Sequence, residues 1–395
     1  MNREAWLKSV EPLMPGLLEI RRHLHRYPEV SGEEHATHAF LRACLEPLGV
    51  ELQDFPGCES LMATLRNGDG PCIAIRADMD ALPVREATGL PFASEHPGVM
   101  HACGHDVHMT LALGSAFWLS RHRDAWSGTV KWMFESEEET VGGGKRMTEQ
   151  GCMENPKVDC IIGQHVNPSY PAGTFYCKTG YVSGASDEVL LTVRGKGCHG
   201  AYPERGRDAI VIACELVVAL QTMISRTISP LDSAVLTFGT IQGGRANNIV
   251  CDEVTLHGTL RTLREDTRGL LKQRIREAAE GISRALGGDA ELLFRPSYGA
   301  VQNSEPYYSL VEDCAREILG ADHIVTREAP SLGVESFYYF IRNTPGVYYD
   351  LGSGISSALH APDFVVDERM IPEAVALQCA CVLRLMEQIR EERAC

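Results

Sequence analysis

Apolar positions recur along this chain with two different periods, and the changes of period divide it into three stretches. In the first, Phe40, Leu41, Cys44, Leu45 and Leu48 follow helical spacing until Gly49 ends the run. Ser31 and Glu34 stand just before it at the spacing of a capping box. Residues 72–75, 130–134 and 160–162 are short, nearly unbroken apolar runs, the pattern of strands covered on both faces. The middle stretch predicts a strand at 189–193 and an apolar helix capped by Asp208 and running to about 224. Strands at 235–241 and 254–262, a charged helix at 264–286 and a strand at 291–294 follow. That β-α-β-β-α-β order is the one of a ferredoxin-like split βαβ module. The last stretch predicts a helix at 306–319, a strand at 346–351 and a C-terminal helix with Pro372 near its first turn. The expected fold class is α/β: a domain with a central sheet built from 1–184 and 296–395, interrupted by an α+β domain at 185–295.

Length agrees with that division, since 395 residues are more than one core usually takes. The formal charge of -16 argues against a nucleic-acid or anionic-membrane partner. No unbroken apolar run of about 18 residues appears, so no membrane span is expected. The first residues, MNREAWLKSVEPL, lack the apolar centre of a signal peptide and read as the start of a charged helix. The 14 cysteines are irregularly spaced, and Cys72, Cys160, Cys214 and Cys381 lie within apolar runs. Reduced, buried thiols and a cytoplasmic location are the expectation.

Candidate chemistry is concentrated in loops. His101-Ala102-Cys103-Gly104-His105-Asp106-Val107-His108 puts three imidazoles, a thiol and a carboxylate within eight positions. Thiolate and neutral imidazole are good ligands for borderline divalent metals. Glu135-Ser136-Glu137-Glu138-Glu139 follows an apolar strand, where one carboxylate can bind metal while another moves protons. Taken alone, such a charge run is more often a solvated loop. His165 follows a further apolar run, His360 lies in Leu359-His360-Ala361-Pro362, and Asp78 and Asp80 lie past a third run. Each histidine alone is more often structural. Several loops carrying ligand-type residues toward one sheet edge make the case for a metal site.

These segments resemble, in order, those of the M20 family of metallopeptidases, in its branch of aminoacylases, hippurate hydrolases and indoleacetyl-amino-acid hydrolases. The similar stretches are RRHLHRYPEVSGEE (21–34), IRADMDALPV (75–84), HACGHDVH (101–108), the pair Glu138-Glu139, GQHVNP (163–168), GKGCHGAYPERGRDAI (195–210), GGRANNIV (243–250) and LHAP (359–362). The resemblance implies a catalytic domain interrupted by a lid or dimerisation domain, and two divalent ions per subunit, with zinc or manganese ahead of cobalt or nickel. It implies Cys103, His105, Glu139, His165 and His360 as ligands, Glu138 as general base, and His199 as the lid histidine that polarises the scissile carbonyl, often from the neighbouring subunit. Asn247 and Arg261 are the corresponding candidates for holding a substrate carboxylate. Asp78, Asp80 and Asp106 correspond to groups that orient ligands. The implied activity is hydrolysis of N-acyl amino acids or related small N-acyl compounds by a homodimer formed through the lid. A small-peptide peptidase and an N-acetyl-diaminopimelate-type deacetylase are alternatives within the architecture, and a catalytically silent metal-binding protein is one outside it. Two departures stand out. Ser136-Glu137 replaces the common Pro-Ala pair before the glutamates, which leaves the roles in the acidic run open by one position. Ser336 replaces an aspartate usual after the glutamate at 335.

Overall fold

The computed structural model describes residues 1–140 and 142–394. Internal contacts divide it into two compact units, one of Met1–Val182, Gln302–Ala329 and Ser336–Cys395, the other of Ser183–Val301 and Pro330–Glu335.

The first unit is built on an eight-stranded mixed sheet. Its order is Glu51–Asp54, Leu61–Asn67, Gly128–Glu135, Cys72–Asp78, Cys160–Asn167, Gly346–Gly352, Phe175–Cys177, Ile324–Thr326. The four middle strands run parallel. Three of them are the apolar runs predicted above, unbroken because helices cover both faces of a parallel sheet. The helix His105–Arg121 is buried almost throughout, and Ile371–Ala394 packs against it. Parallel direction puts Asp78, Glu135, His165 and Gly352 near the same sheet edge, the edge where open α/β sheets bind ligands.

The second unit has the strand order Ala234–Gly243, Glu253–Thr262, Ala185–Arg194, Asp289–Pro296, antiparallel throughout. This is the split βαβ arrangement expected from the periodicity. Its two helices, Ala209–Thr227 and Glu265–Ala285, bury Ile212, Leu216, Leu220, Leu271 and Ile275 in a separate core with the inward residues of the sheet. Asp208 caps the first helix by accepting from the N–H groups of Ile210 and Val211. By length and composition that helix is apolar enough to cross a bilayer, which no unbroken apolar run in the sequence suggested. One face packs on the sheet. The other exposes Val211 at 52% and Val218 at 69%.

Two expectations are corrected. Ser31 and Glu34 form no capping box. The Ser31 hydroxyl donates to Asp80 Oδ2 at 2.6 Å, and the helix His35–Leu45 is capped by Glu29, whose carboxylate accepts from the N–H groups of Ala36 and Thr37. Cys214, expected to be buried, is exposed, whereas Cys72, Cys160 and Cys381 are buried; no cysteine among the described residues is in a disulfide.

Candidate metal centre

The loop 101–104 turns sharply into the helix beginning at His105. Gly104 has φ +82°, and a Cβ there would come within 2.4 Å of Val166 Cγ2, so both conformation and space demand glycine. The turn brings Cys103 Sγ to 3.3 Å from His165 Nε2. His165 Nδ1 donates to the Val166 carbonyl at 2.7 Å, which aims Nε2 at the sulfur. His105 is fixed in the same manner. Its Nδ1 donates to the Asp80 backbone oxygen at 2.8 Å, leaving Nε2 buried without a hydrogen-bond partner.

From the opposite side come Glu139 and His360. Asp80 Oδ2 accepts from the Glu139 N–H at 3.0 Å and so positions both Glu139 and His105. Glu139 Oε1, buried and lacking a hydrogen bond, lies 3.3 Å from His360 Nε2. His360 has φ +67°, a costly conformation for a non-glycine residue, and its N–H is tied to the Ala102 carbonyl at 2.8 Å.

Four overlapping groups of possible donors result, in each of which the donor atoms lie within 4.8 Å of one another: Cys103, His105 and His165; Cys103, Glu139 and His360; His105, Glu138 and Glu139; Asp78, His105 and His108. The last is a poor ligand set. His108 Nδ1 donates to Asp78 at 2.5 Å while its Nε2 accepts from the Val166 N–H at 2.9 Å, so both ring nitrogens are already used. Burial holds the His108 pKa down to about 4, in keeping with that neutral tautomer. The other three groups contain all five ligands that the resemblance implied, together with Glu138.

Charge in this cluster is unusually polarised. Burial disfavours the Cys103 thiolate, but His165 and His105 override it and bring the pKa down to about 6. Burial likewise opposes a charged His165, and the Cys103 sulfur overcomes it, raising the imidazole to about 10. Burial opposes ionisation of Glu139, but His360, His105 and Cys103 together outweigh it and bring the pKa down to about 2. The neighbouring Cys103 sulfur and Glu139 carboxylate raise His360 to about 10. Protons therefore hold anionic and cationic ligands together when no cation is bound, and a divalent ion would release them. The orphaned His105 Nε2 and Glu139 Oε1, with a low-pKa thiolate between imidazoles, suit a divalent metal by both position and chemistry.

The three consecutive glutamates part company. Glu137 has φ +59°, its carboxylate pairs with Arg146, and its N–H donates to Glu34 at 2.7 Å. The hydroxyls of Ser136 and Ser60 hydrogen-bond at 3.0 Å. Only Glu138 and Glu139 reach the donor cluster. Asp106 faces elsewhere, with its Oδ2 2.8 Å from His25 Nδ1 and 3.1 Å from Arg21 Nε. It ties helix to helix instead of orienting a ligand. The other three candidates belong to the second unit. Asn247 lies in an exposed turn. Arg261 is half-buried, donating to Thr259 Oγ1 at 3.2 Å and the Leu332 carbonyl at 3.5 Å. His199 is exposed beside Tyr202. Its Nδ1 accepts from the Ala201 N–H at 3.1 Å, which puts the neutral ring's proton on Nε2.

Sequence reasoning missed the support beneath the glutamates. Arg76, fully buried, donates to Glu135 at 2.7 Å, Asp78 at 2.6 Å and Ser336 Oγ at 2.7 Å. An arginine within an otherwise apolar strand was the available signal. The sequence suggests no role for Glu34 beyond capping. It is fully buried beneath Glu137, and burial raises its pKa to about 7. A raised carboxyl pKa means that the folded state holds a proton the unfolded state has lost. Its contribution is thus favourable below about pH 4.5 and is lost as pH rises toward 7. In metal-free protein, Glu34→Gln is expected to gain stability over the parent on going from pH 5 to pH 8, by about 3 kcal/mol in urea unfolding. A difference that does not change with pH would show Glu34 to be ionised throughout.

Comparison with known proteins agrees with this geometry. Residues 74–384 match the pattern of Peptidase family M20/M25/M40. The chain is 38% identical over its whole length to the N-acetyl-L-cysteine deacetylase of Bacillus subtilis strain 168, covering 94% of that protein. It is 36% identical to the N-acetyldiaminopimelate deacetylase of Limosilactobacillus reuteri, over 91% of this chain and 95% of that one. Among solved structures, the YXEP protein of Bacillus subtilis, a dinuclear metal-binding peptidase from the M20 family, superposes with a TM-score of 0.84 at 30% identity, covering 95% of this chain and 99% of its own. A match of this extent, on a fold whose sheet edge gathers such donors, places the chain in peptidase family M20/M25/M40.

Proposed function

We propose that this M20 amide hydrolase acts on N-acyl amino acids or related small N-acyl compounds, releasing a carboxylic acid and a free amine. The observation that carries the reading is the convergence of Cys103, His105, Glu139, His165 and His360 on one point, with the Glu138 carboxylate beside them. The N-acetyl deacetylases among the relatives support acetyl as the first acyl group to try.

Cys103, His105, Glu139, His165 and His360 would hold two divalent ions, Cys103 belonging to two of the donor groups. Once bound, such ions would supply Lewis acidity to a water and a carbonyl oxygen. The residues do the rest. Glu138 accepts the proton of the attacking water as its oxygen bonds to the acyl carbon. The Nε2–H of His199, reaching in from a second subunit, donates to the developing oxyanion. Glu138 then delivers the proton to the amide nitrogen as the C–N bond breaks. Arg261 bonds two neutral oxygens, which do not offset its charge, and with Asn247 it is our candidate for holding the substrate carboxylate. The thiolate favours zinc, with manganese the main alternative and cobalt or nickel behind. We assign a homodimer formed through the second unit, supported by the outward valines of Ala209–Thr227. The unpaired thiols support a cytoplasmic location.

A panel of N-acetyl, N-benzoyl and longer N-acyl amino acids, N-acetyl-diaminopimelate and dipeptides, read for free amine, tests the reading. Chelation should abolish turnover, and metal analysis of the purified protein should identify the restoring ion. The carboxamide analogue of the best substrate should be poor. Absence of chelator-sensitive amine release from every compound would overturn the proposal, and equal turnover of the carboxamide would remove Arg261 from it.

A further inference from the structure

Ser336 touches the proposed base. Its backbone N–H donates to Glu138 Oε1 at 3.4 Å, and its hydroxyl accepts from Arg76 Nη2 at 2.7 Å. The residue is fully buried and lies 198 positions from Glu138 and 260 from Arg76. Arg76 is itself held on two more sides, by Glu135 and Asp78, at the ends of adjacent parallel strands. A rigid cation in the sheet thus grips a hydroxyl, and the same residue presents an N–H to the carboxylate that moves protons. The chain re-enters the first unit at Ser336, directly after the segment Pro330–Glu335 that belongs to the second. Ser336 begins the turn that leads into the helix Tyr338–Ile341, its carbonyl accepting from the Tyr339 N–H at 2.9 Å, and the Arg76 contact fixes its side chain.

We infer that Ser336 is a positioning residue for Glu138: the Arg76–Ser336 hydrogen bond fixes the N–H that orients the Glu138 carboxylate. Serine suits this task better than the aspartate that the family resemblance leads one to expect at this position. A third carboxylate on Arg76 would add negative charge beside Glu138, whereas the hydroxyl anchors the backbone without charge. The inference rests on Glu138 being the base, and its test separates the two.

Metal-loaded Ser336→Ala and Ser336→Thr are compared with the parent on the best substrate. Ser336→Ala is expected to lose about tenfold in kcat, the scale of one hydrogen bond, while KM and metal content stay within twofold. Ser336→Thr, which keeps the hydroxyl, should recover to within about threefold of the parent. A crystal structure of metal-loaded Ser336→Ala should show Glu138 Oε1 no longer facing the residue 336 N–H. Unchanged kcat in Ser336→Ala, a loss confined to KM or metal content, or an unmoved Glu138 each overturns the inference. If the parent turns over no N-acyl compound, the functional reading fails, and the position of Glu138 in the crystal still decides the role of Ser336.

Discussion

Glu138→Gln is expected to keep its full metal content while kcat falls at least about 100-fold, the usual scale for loss of a general base. Glutamine preserves shape and one hydrogen-bond acceptor but cannot take a proton from water. Glu138 shares a donor group with His105 and Glu139, so its carboxylate is beside the residues that would hold metal without being needed to fill either set that contains Cys103. Glu137 is the control. It is one residue away, equally acidic in sequence, and committed to Arg146 from a left-handed backbone position. Glu137→Gln should therefore disturb the turn and spare the chemistry, with turnover within about tenfold of the parent. Steady-state kinetics with metal analysis of both variants checks the assignment. Near-normal turnover in Glu138→Gln, with Glu137→Gln inactive, would move the base by one position and void the roles given to both.

Sequence made some of this legible and hid the rest for physical reasons. The strands Cys72–Asp78, Gly128–Glu135 and Cys160–Asn167 announce themselves because strands buried on both faces have no polar side to interrupt them. Phe175–Cys177 and Ile324–Thr326 have three residues each and carry no period to detect. The capping-box reading failed at Ser31 because a buried carboxylate at Asp80 competes successfully for its hydroxyl. Ligand types were readable from their loops. What orients them was not: the acceptor that aims His105 is the Asp80 backbone, and the one that aims His165 is the adjacent Val166 carbonyl. Backbone acceptors leave no trace in residue identity. Ser336 was visible only as a departure from a pattern, since its partners lie hundreds of positions away.

Subunit complementation carries the largest consequence for the assembly. His199→Ala is expected to bind metal normally and yet be nearly inactive, because the residue lies outside the ligand cluster and contributes only a donor to the transition state. Loss of one such donor costs other hydrolases about 3 kcal/mol, or more than 100-fold in kcat. The local structure suits the task. The Ala201 N–H occupies Nδ1, which leaves Nε2–H as the exposed donor, and Gly200 approaches Asn248 so closely that a Cβ would lie 3.0 Å from its carbonyl oxygen. That tight turn holds an imidazole at the surface instead of packing it away. A single subunit with an exposed histidine does not reveal which site it serves, but mixing does. His199→Ala and Glu138→Gln proteins, each inactive, are combined under conditions that exchange subunits. If the imidazole works across the interface, each mixed dimer contains one site with an intact base and an intact histidine from its partner. Half the subunits would be in mixed dimers at equal input, and one site in two within them would be competent. Activity should therefore recover to about a quarter of the parent's. If His199 serves its own chain, every site in the mixture lacks one group or the other, and activity stays at the level of the separate variants even when exchange is shown by native mass spectrometry.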